Sequence, residues 1–244
     1  MIYRSIIDKT SEQLEIHYKH SNILVRYGSL QTDRGSIKQM LMTKLVSLYN
    51  ELENYIASNE EFKNSLKPLN CIMQNELALK MARYTSLAEV GPMASVAGVF
   101  ADELLTQVDK YVEWAFIENG GDIALKNTEE SVITVFPGNS DIKEKILMTL
   151  PAGRWGVASS SGIFGHSLSL GHADLVTVIE ENANKADSFA TAIANQITPG
   201  CEPLEILDNY KDLKAILIIW KDKIWYRGEF DLSFADNVPG TVLR

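Results

Sequence analysis

The order in which the hydrophobic period changes along the chain restricts the fold more than any single motif. Residues 12–28, EQLEIHYKHSNILVRYG, alternate loosely between apolar and polar on either side of Lys19-His20-Ser21-Asn22, which predicts a β-hairpin. Residues 36–58 change to helical spacing, with Leu41, Leu45, Leu48 and Leu52 at intervals of three and four. Residues 59–70 are mostly polar and end in Lys67-Pro68-Leu69-Asn70, a loop signal. Residues 75–87 are helical again, with Ala78, Met81 and Ala82 on one side. From Tyr111 the pattern is that of strands: 111–118, 122–125, 131–136, 146–150, 155–158 and 175–180, separated by Gly, Asn and Pro-Gly turns. An alanine-rich helix is predicted over 184–196, then a hairpin of 213–220 and 223–230 about Lys221-Asp222, then a polar, turn-rich tail.

Strands, paired helices, strands, a helix and strands make an α+β fold with antiparallel-leaning sheets. The regular alternation of a doubly wound fold is absent. No short-period repeat and no Pro/Ser-rich linker divides the chain. It reads as a single domain, 1–244, with a coarse duplication into halves of about 1–110 and 111–244.

Composition limits the partners. The net charge is −9 and the pI about 5.0. Non-specific DNA or RNA binding needs surplus Lys and Arg to neutralise phosphate, and docking on an anionic membrane needs the same. Cys71 and Cys201 are far apart and in no motif, so they form neither a four-ligand zinc site nor a CxxC redox pair; they read as free thiols in a reducing compartment. The first residues, MIYRSIIDKTSEQLEIHYKH, contain no apolar signal region, and Ala215–Trp220 (AILIIW) is too short to span a bilayer. A cytoplasmic location is expected.

Four segments could bind a ligand. In Gly91-Pro92-Met93-Ala94-Ser95-Val96-Ala97-Gly98, proline suits a helix start, where free N–H groups attract phosphate and small side chains allow close approach. The same small residues also suit tight helix packing. Glu118-Asn119-Gly120-Gly121-Asp122 places a double glycine in a turn after a strand. Ser159-Ser160-Ser161-Gly162-Ile163-Phe164-Gly165-His166 offers hydroxyls, flexible backbone and a histidine able to act as proton carrier, ligand contact or structural hydrogen-bonding group. It is neither a P-loop nor a GxSxG elbow. His172 reads as a surface residue. In Asp187-Ser188-Phe189-Ala190-Thr191, a carboxylate and a hydroxyl four apart share a helix face and suit Mg²⁺. Alternatively Asp187 serves the helix dipole and Thr191 bonds back to its own helix.

Taken in this order, GPMASVAG, ENGGD, SSSGIFGHSLS, ADLVTV and ADSFATA resemble the ApbE-like superfamily over roughly residues 12–230. Its best-known members are FAD:protein FMN transferases, and the nearest resemblance is to its branch of unanchored, cytosolic members. The resemblance implies two T-fold-like halves with antiparallel sheets packed by helices and a flavin between them. It implies that Asp187 and Thr191 hold a divalent metal, Mg²⁺, at the FAD pyrophosphate. The FAD-binding positions would be Gly91, Pro92, Met93, Ala94, Ser95, Glu118, Asn119, Gly120, Gly121, Asp122, Ser160, Ser161, Gly162 and His166. Asp187 and His166 would serve the chemistry. Where the transferases carry a lysine after Gly-Gly-Ile-Ala, this chain has Ala97.

Three functions compete. The first is Mg-dependent binding of FAD or a related dinucleotide, with nucleotidyl or FMN transfer to a protein acceptor. The second is a pterin- or purine-type small-heterocycle enzyme on the same scaffold. The third is a non-catalytic interaction subunit of a redox complex. T-fold-like sheets often associate, which points to a homodimer.

Overall fold

The computed structural model describes residues 12–29, 33–69, 74–136, 140, 142, 145–162 and 171–235. The first hairpin is β1 (Glu12–Tyr18) and β2 (Ser21–Ser29). Its turn is shorter than the sequence suggests: Lys19, with φ of 50°, and His20 form the turn, and Ser21 and Asn22 already pair with Tyr18 and His17. The leucine stripe builds α1 (Arg34–Ser58), which buries Ile37, Leu41, Leu45, Leu48, Tyr49 and Leu52. Asp33 caps it, accepting the Ser36 N–H at 3.0 Å.

Residues 59–70 are not all loop. They include α2 (Glu60–Asn64), which buries Phe62 edge-on against Tyr55. One helical turn is too short for a period to register in the sequence. The chain continues with α3 (Glu76–Leu87), a 3₁₀ turn at Pro92–Ser95, α4 (Val96–Val108), β3 (Val112–Asn119), β4 (Asp122–Asn127), β5 (Ser131–Val135), β6 (Lys145–Leu150), β7 (Gly153–Ser160), β8 (Leu175–Glu180) and α5 (Ala183–Gln196). It ends with α6 (Pro203–Asn209), β9 (Ala215–Trp220), β10 (Lys223–Gly228) and β11 (Leu232–Ala235). The short helix α6 and the strand β11 were not expected. β11 owes its existence to pairing with the distant β6, a contact that no local pattern encodes.

The main sheet has eight antiparallel strands in the order β1-β2-β3-β4-β7-β8-β9-β10, and β11-β6-β5 form a separate small sheet. Each half of the large sheet is therefore strand, strand, helices, strand, strand, with its four strands side by side in chain order. β3 pairs with β2, so a division at residue 110 separates elements joined by hydrogen bonds. β4 and β7 pair at the middle of the sheet, with β5 and β6 lying between them in the chain.

The helices cover one face of the large sheet and the small sheet lies on the other. Two cores fill the helical side. One contains Leu41, Leu45, Met81, Phe100, Leu104 and Ile117; the other contains Ala158, Val176, Val178, Ala186, Ala190 and Ile218. A third core, with Phe116, Ile123, Leu125, Val157 and Met148, lies between the sheets. Alternation along each strand sorts the side chains: Ala124 and Ala158 face helices, while Ile123, Leu125 and Val157 face the small sheet.

Helix α5 lies deepest. Eleven of its residues are buried, among them Ala183, Ala186, Ala190, Ala192 and Ala194, because it rests on β7 and β8 while α4 crosses its other side. The approach is close enough that a Cβ on Gly156 would lie 2.0 Å from the Asn182 carbonyl carbon. The β3–β4 turn makes the opposite demand: Gly120 and Gly121 have φ of 68° and 116°, as a two-residue hairpin requires, and a Cβ on Gly120 would meet nothing within 4 Å.

These two glycines give contrasting predictions. Gly156→Ala forces strand and helix backbones apart and should cost about 3 kcal/mol. Gly120→Asn, which tolerates the left-handed conformation, should cost less than ~1 kcal/mol. Urea unfolding of both variants checks this; equal midpoints would refute the close-packing account.

Candidate functional site

The site is built around α4 and α5, each of which places a carboxylate at the start of the other. Asp187 of α5 accepts the Gly98 N–H at the first turn of α4, at 2.9 Å. Asp102 of α4 accepts the Ala183 and Asn184 N–H groups that open α5, at 3.0 and 2.8 Å. The Asn182 side chain accepts the next donor, Lys185 N–H, at 2.8 Å. Donors that would otherwise be orphaned, and the positive ends of both helix dipoles, thus meet carboxylates, Asp187 buried and Asp102 half-buried. Gly98 is required by this contact, since a Cβ there would come within 2.4 Å of the Ala183 carbonyl oxygen and 2.9 Å of the Asp187 Cβ.

Burial dominates the electrostatics. It pushes the Asp187 carboxyl up to about 7, opposed by the Gly98 hydrogen bond and assisted by the charge of Asp102. Burial likewise raises Asp102 to about 6, against the hydrogen bonds from Asn184 and Ala183. Asp122 is raised well above the usual carboxylate range, first by burial and then by the charge of Asp187, against a backbone hydrogen bond from Ser159.

Among the described residues, several polar atoms on the helical side of the sheet have no hydrogen-bond partner: Thr191 Oγ1, Ser160 Oγ and Asp122 Oδ1 are buried without one. Thr191 does not bond back to its own helix; Ser188 does, donating to the Asn184 carbonyl at 2.8 Å. Leaving a buried polar group unsatisfied costs about 1–3 kcal/mol, so these three, on α5, β7 and β4, call for an explanation. These oxygens, with the Asp187 carboxylate, suit a hard cation, which takes oxygen ligands and leaves positions for phosphate and water. Among the described residues no three His, Cys, Asp or Glu side chains converge as a metal-holding group, so hydroxyl and ligand oxygens would complete the set.

The other predicted positions divide clearly. Asn119 shares a face with Asp122 and donates to the Ala97 carbonyl at 3.2 Å, tying the end of β3 to the start of α4. Gly120 and Gly121 form the intervening turn. Glu118 does not join them. Strand alternation sends it to the face of Phe116, where it is buried close enough to Arg26 to act on that guanidinium. Gly91 is accounted for by packing, because a Cβ there would lie 1.8 Å from the Ser65 carbonyl oxygen. Pro92 and Ser95 are buried, with Ser95 donating to the Met81 carbonyl at 3.3 Å, while Met93 and Ala94 are half-buried. Ser161 and Gly162 are half-buried, and the Gly162 N–H bonds the Ala173 carbonyl at 3.0 Å. His172 is exposed, as expected. His166 and Cys71 lie outside the described residues; Cys201 is a half-buried free thiol.

Sequence reasoning missed Asp102. An isolated aspartate within an apolar helix carries no signal of the backbone it will cap. Beside it lie two cavities of about 170 Å³ each, one lined by Arg154, Trp155 and Thr106, the other by Lys80, Arg83 and Asn184. Both are smaller than the ~300–1,000 Å³ usual for ligand pockets.

The raised carboxyls set a pH dependence. Between the unfolded carboxyl value and the folded one, the native state binds the extra proton. The stability contributed by each group is therefore complete at low pH and lost as pH rises through its folded value. In chelator, the difference in unfolding free energy between wild type and Asp187→Asn should fall as pH rises from about 4 to 7, by up to ~1.4 kcal/mol per pH unit. Urea unfolding at successive pH values checks it; a difference that grows with pH would reverse the assignment.

Comparisons with known proteins agree with this fold. A family model described as AbpE bacteria matches residues 4–222. A UPF0280 protein of Methanobrevibacter smithii is 36% identical over 222 residues, covering 86% of this chain and 92% of that protein. A UPF0280 protein of Methanocaldococcus jannaschii is 34% identical over 226 residues, covering 86% and 88%. Among solved structures, the apo form of Pseudomonas stutzeri flavinyl transferase ApbE superposes with a TM-score of 0.61 at 12% identity, covering 89% of this chain and 93% of that one. The ApbE protein of Thermotoga maritima gives 0.58 at 15% identity, covering 90% and 97%. At such identities the structures establish the fold alone, whereas the family model and the archaeal relatives establish kinship: the chain belongs to the ApbE-like family described as AbpE bacteria, together with the UPF0280 proteins.

Proposed function

We propose that the chain binds a flavin dinucleotide, FAD or a close relative, with Mg²⁺ at its pyrophosphate, and that its chemistry is nucleotidyl or FMN transfer. The observation that carries this reading is that Asp122 Oδ1, Ser160 Oγ and Thr191 Oγ1 are buried with no hydrogen-bond partner among the described residues, with Asp187 on the same helix as Thr191. Solved neighbours that bear the name of flavin transferases support the choice of ligand.

Asp187 and Thr191 would hold the cation. A bound cation would neutralise the pyrophosphate and stabilise charge developing on its oxygens. The backbone at Ser160–Gly162 would hold phosphate, and His166 would act as acid, base or ligand contact. In FMN transfer, an acceptor hydroxyl passes its proton to a base, a role open to His166, its oxygen bonds the FMN-side phosphorus, and the bond from that phosphorus to the bridging oxygen breaks, so that this oxygen leaves with AMP.

One observation favours a second reading. Ala97 stands where the transferases carry lysine, and its carbonyl is engaged by Asn119, so this position supplies no cation to a phosphate. A protein that keeps the fold without transfer, as an interaction subunit of a redox complex, would fit that loss.

Thermal melts with FAD, FMN, ATP and pterins, each with and without Mg²⁺, separate the readings. A ligand that binds only the native state raises the melting temperature, by about 2.7 kcal/mol of stability at one hundred times its Kd. The expected result is Mg²⁺-dependent stabilisation by FAD that is lost in Asp187→Asn. Thr191→Val should lose the same response while stabilising the ligand-free protein by roughly 1 kcal/mol, because it removes a buried unsatisfied hydroxyl. No shift with any ligand would move the interaction-subunit reading to first place.

A further inference from the structure

We infer that the cavity between α3, α4 and the start of α5 binds a small α-amino acid, its ammonium group at Asn184 Oδ1 and Asp102 and its carboxylate at Arg83. The inference is independent of the dinucleotide reading, because none of Asp122, Ser160, Asp187 and Thr191 lines this cavity.

Asn184 is the residue that points to a ligand. It is only 6% exposed. Its Nδ2 donates to the Lys80 carbonyl at 2.7 Å, which ties the start of α5 to α3 and fixes which way the amide faces. Turning the amide over would set oxygen against oxygen. Oδ1 is thereby held as an acceptor, buried with no hydrogen-bond partner among the described residues, on a side chain that lines the cavity. An acceptor left in that state costs about 1–3 kcal/mol. The bond to Lys80 accounts for Nδ2 and leaves Oδ1 to a donor on the molecule that fills the space.

The charges around the cavity define the rest of that molecule. Lys80 and Glu103 answer each other at 2.7 Å, with Lys44 on the second Glu103 oxygen at 2.6 Å and Glu76 on Lys80 at 2.8 Å. Arg83 and Asp102 remain. Arg83 has no ion pair among the described residues, and its guanidinium stands over the Tyr84 ring, 5.0 Å from the centroid. Asp102 takes one backbone N–H on each oxygen, and each oxygen keeps a lone pair free. Its carboxyl, raised to about 6, is charged at neutral pH. One open cation, one open carboxylate and a neutral acceptor suit a zwitterion. A simple carboxylate would leave Asn184 Oδ1 unanswered, and a simple amine would leave Arg83 unanswered. Size agrees. The cavity holds about 170 Å³. Cavities of about 150 Å³ accept benzene, so this one suits about six or seven non-hydrogen atoms, as in alanine or serine, and excludes a nucleotide.

Calorimetric titration of the purified full-length chain with glycine, L-alanine and L-serine, without flavin or metal, tests this. The expected result is saturable millimolar binding of at least one of them at a single site per chain. N-acetyl-L-alanine, which lacks the ammonium group, and L-alaninamide, which lacks the carboxylate, should bind at least about tenfold more weakly than L-alanine. Arg83→Gln, at an exposed position, and Asn184→Ala should each weaken binding by about the same factor. Lys223→Gln, at an exposed position on β10, should leave it unchanged. Far-ultraviolet circular dichroism establishes that each variant is folded; if Asn184→Ala is not, Arg83→Gln and the two analogues decide. Absence of binding by all three amino acids, affinity unchanged in Arg83→Gln, or analogues that bind as well as L-alanine would overturn the inference.

Discussion

The exchange of carboxylates between α4 and α5 is the interaction on which the helical layer depends. Asp102 satisfies the first donors of α5 and Asp187 satisfies a first-turn donor of α4, so neither helix start is complete without the other. Asp187 is buried and Asp102 half-buried, and desolvation raises both carboxyls, which makes the exchange sensitive to proton activity near neutrality. Contact at Gly98 and Gly156 allows such short bonds, because any side chain there would separate backbone from backbone. The small residues of GPMASVAG and ADSFATA therefore serve packing first.

Packing of that kind also accounts for where a ligand site can form. Pressing α5 onto β7 and β8 buries Thr191 Oγ1 and Ser160 Oγ with no hydrogen-bond partner among the described residues. A protein selected for stability alone would have valine and alanine at such positions. An all-oxygen set of this kind suits the hard cation proposed above better than a transition metal. Asp122 on β4 and Ser160 on β7 belong to the two strands that pair at the middle of the large sheet, and α5 packs on β7.

The opposite face of the sheet has a separate role. The β5, β6 and β11 sheet covers Phe116, Leu125, Val157 and Leu217 and turns an open antiparallel sheet into the middle layer of three. Glu118 and Arg26 are buried on that side, so the acid of ENGGD belongs to the structural face and its aspartate to the helical one. Adjacent strand residues point in opposite directions, and a motif read as one unit is split between two environments.

The sequence by itself determined the elements wherever their period was long enough to read: the leucine stripe of α1, the hairpins about Lys19 and Lys221, the two-glycine turn and the alanine-rich helix. It also fixed the α+β class and, through the order of GPMASVAG, ENGGD and ADSFATA, the family. Elements of a single turn or a single distant pairing, α2, α6 and β11, were not legible, because their stability comes from burial and from partners far along the chain. Tertiary structure alone decided that Asp102 caps α5, that Asp187 reaches Gly98, that Glu118 lies on the sheet face opposite Asp122, and that the hydroxyls of Thr191 and Ser160 are buried with no partner among the described residues. Those outcomes depend on which face of each element meets which neighbour at what distance, and chain spacing carries no measure of that.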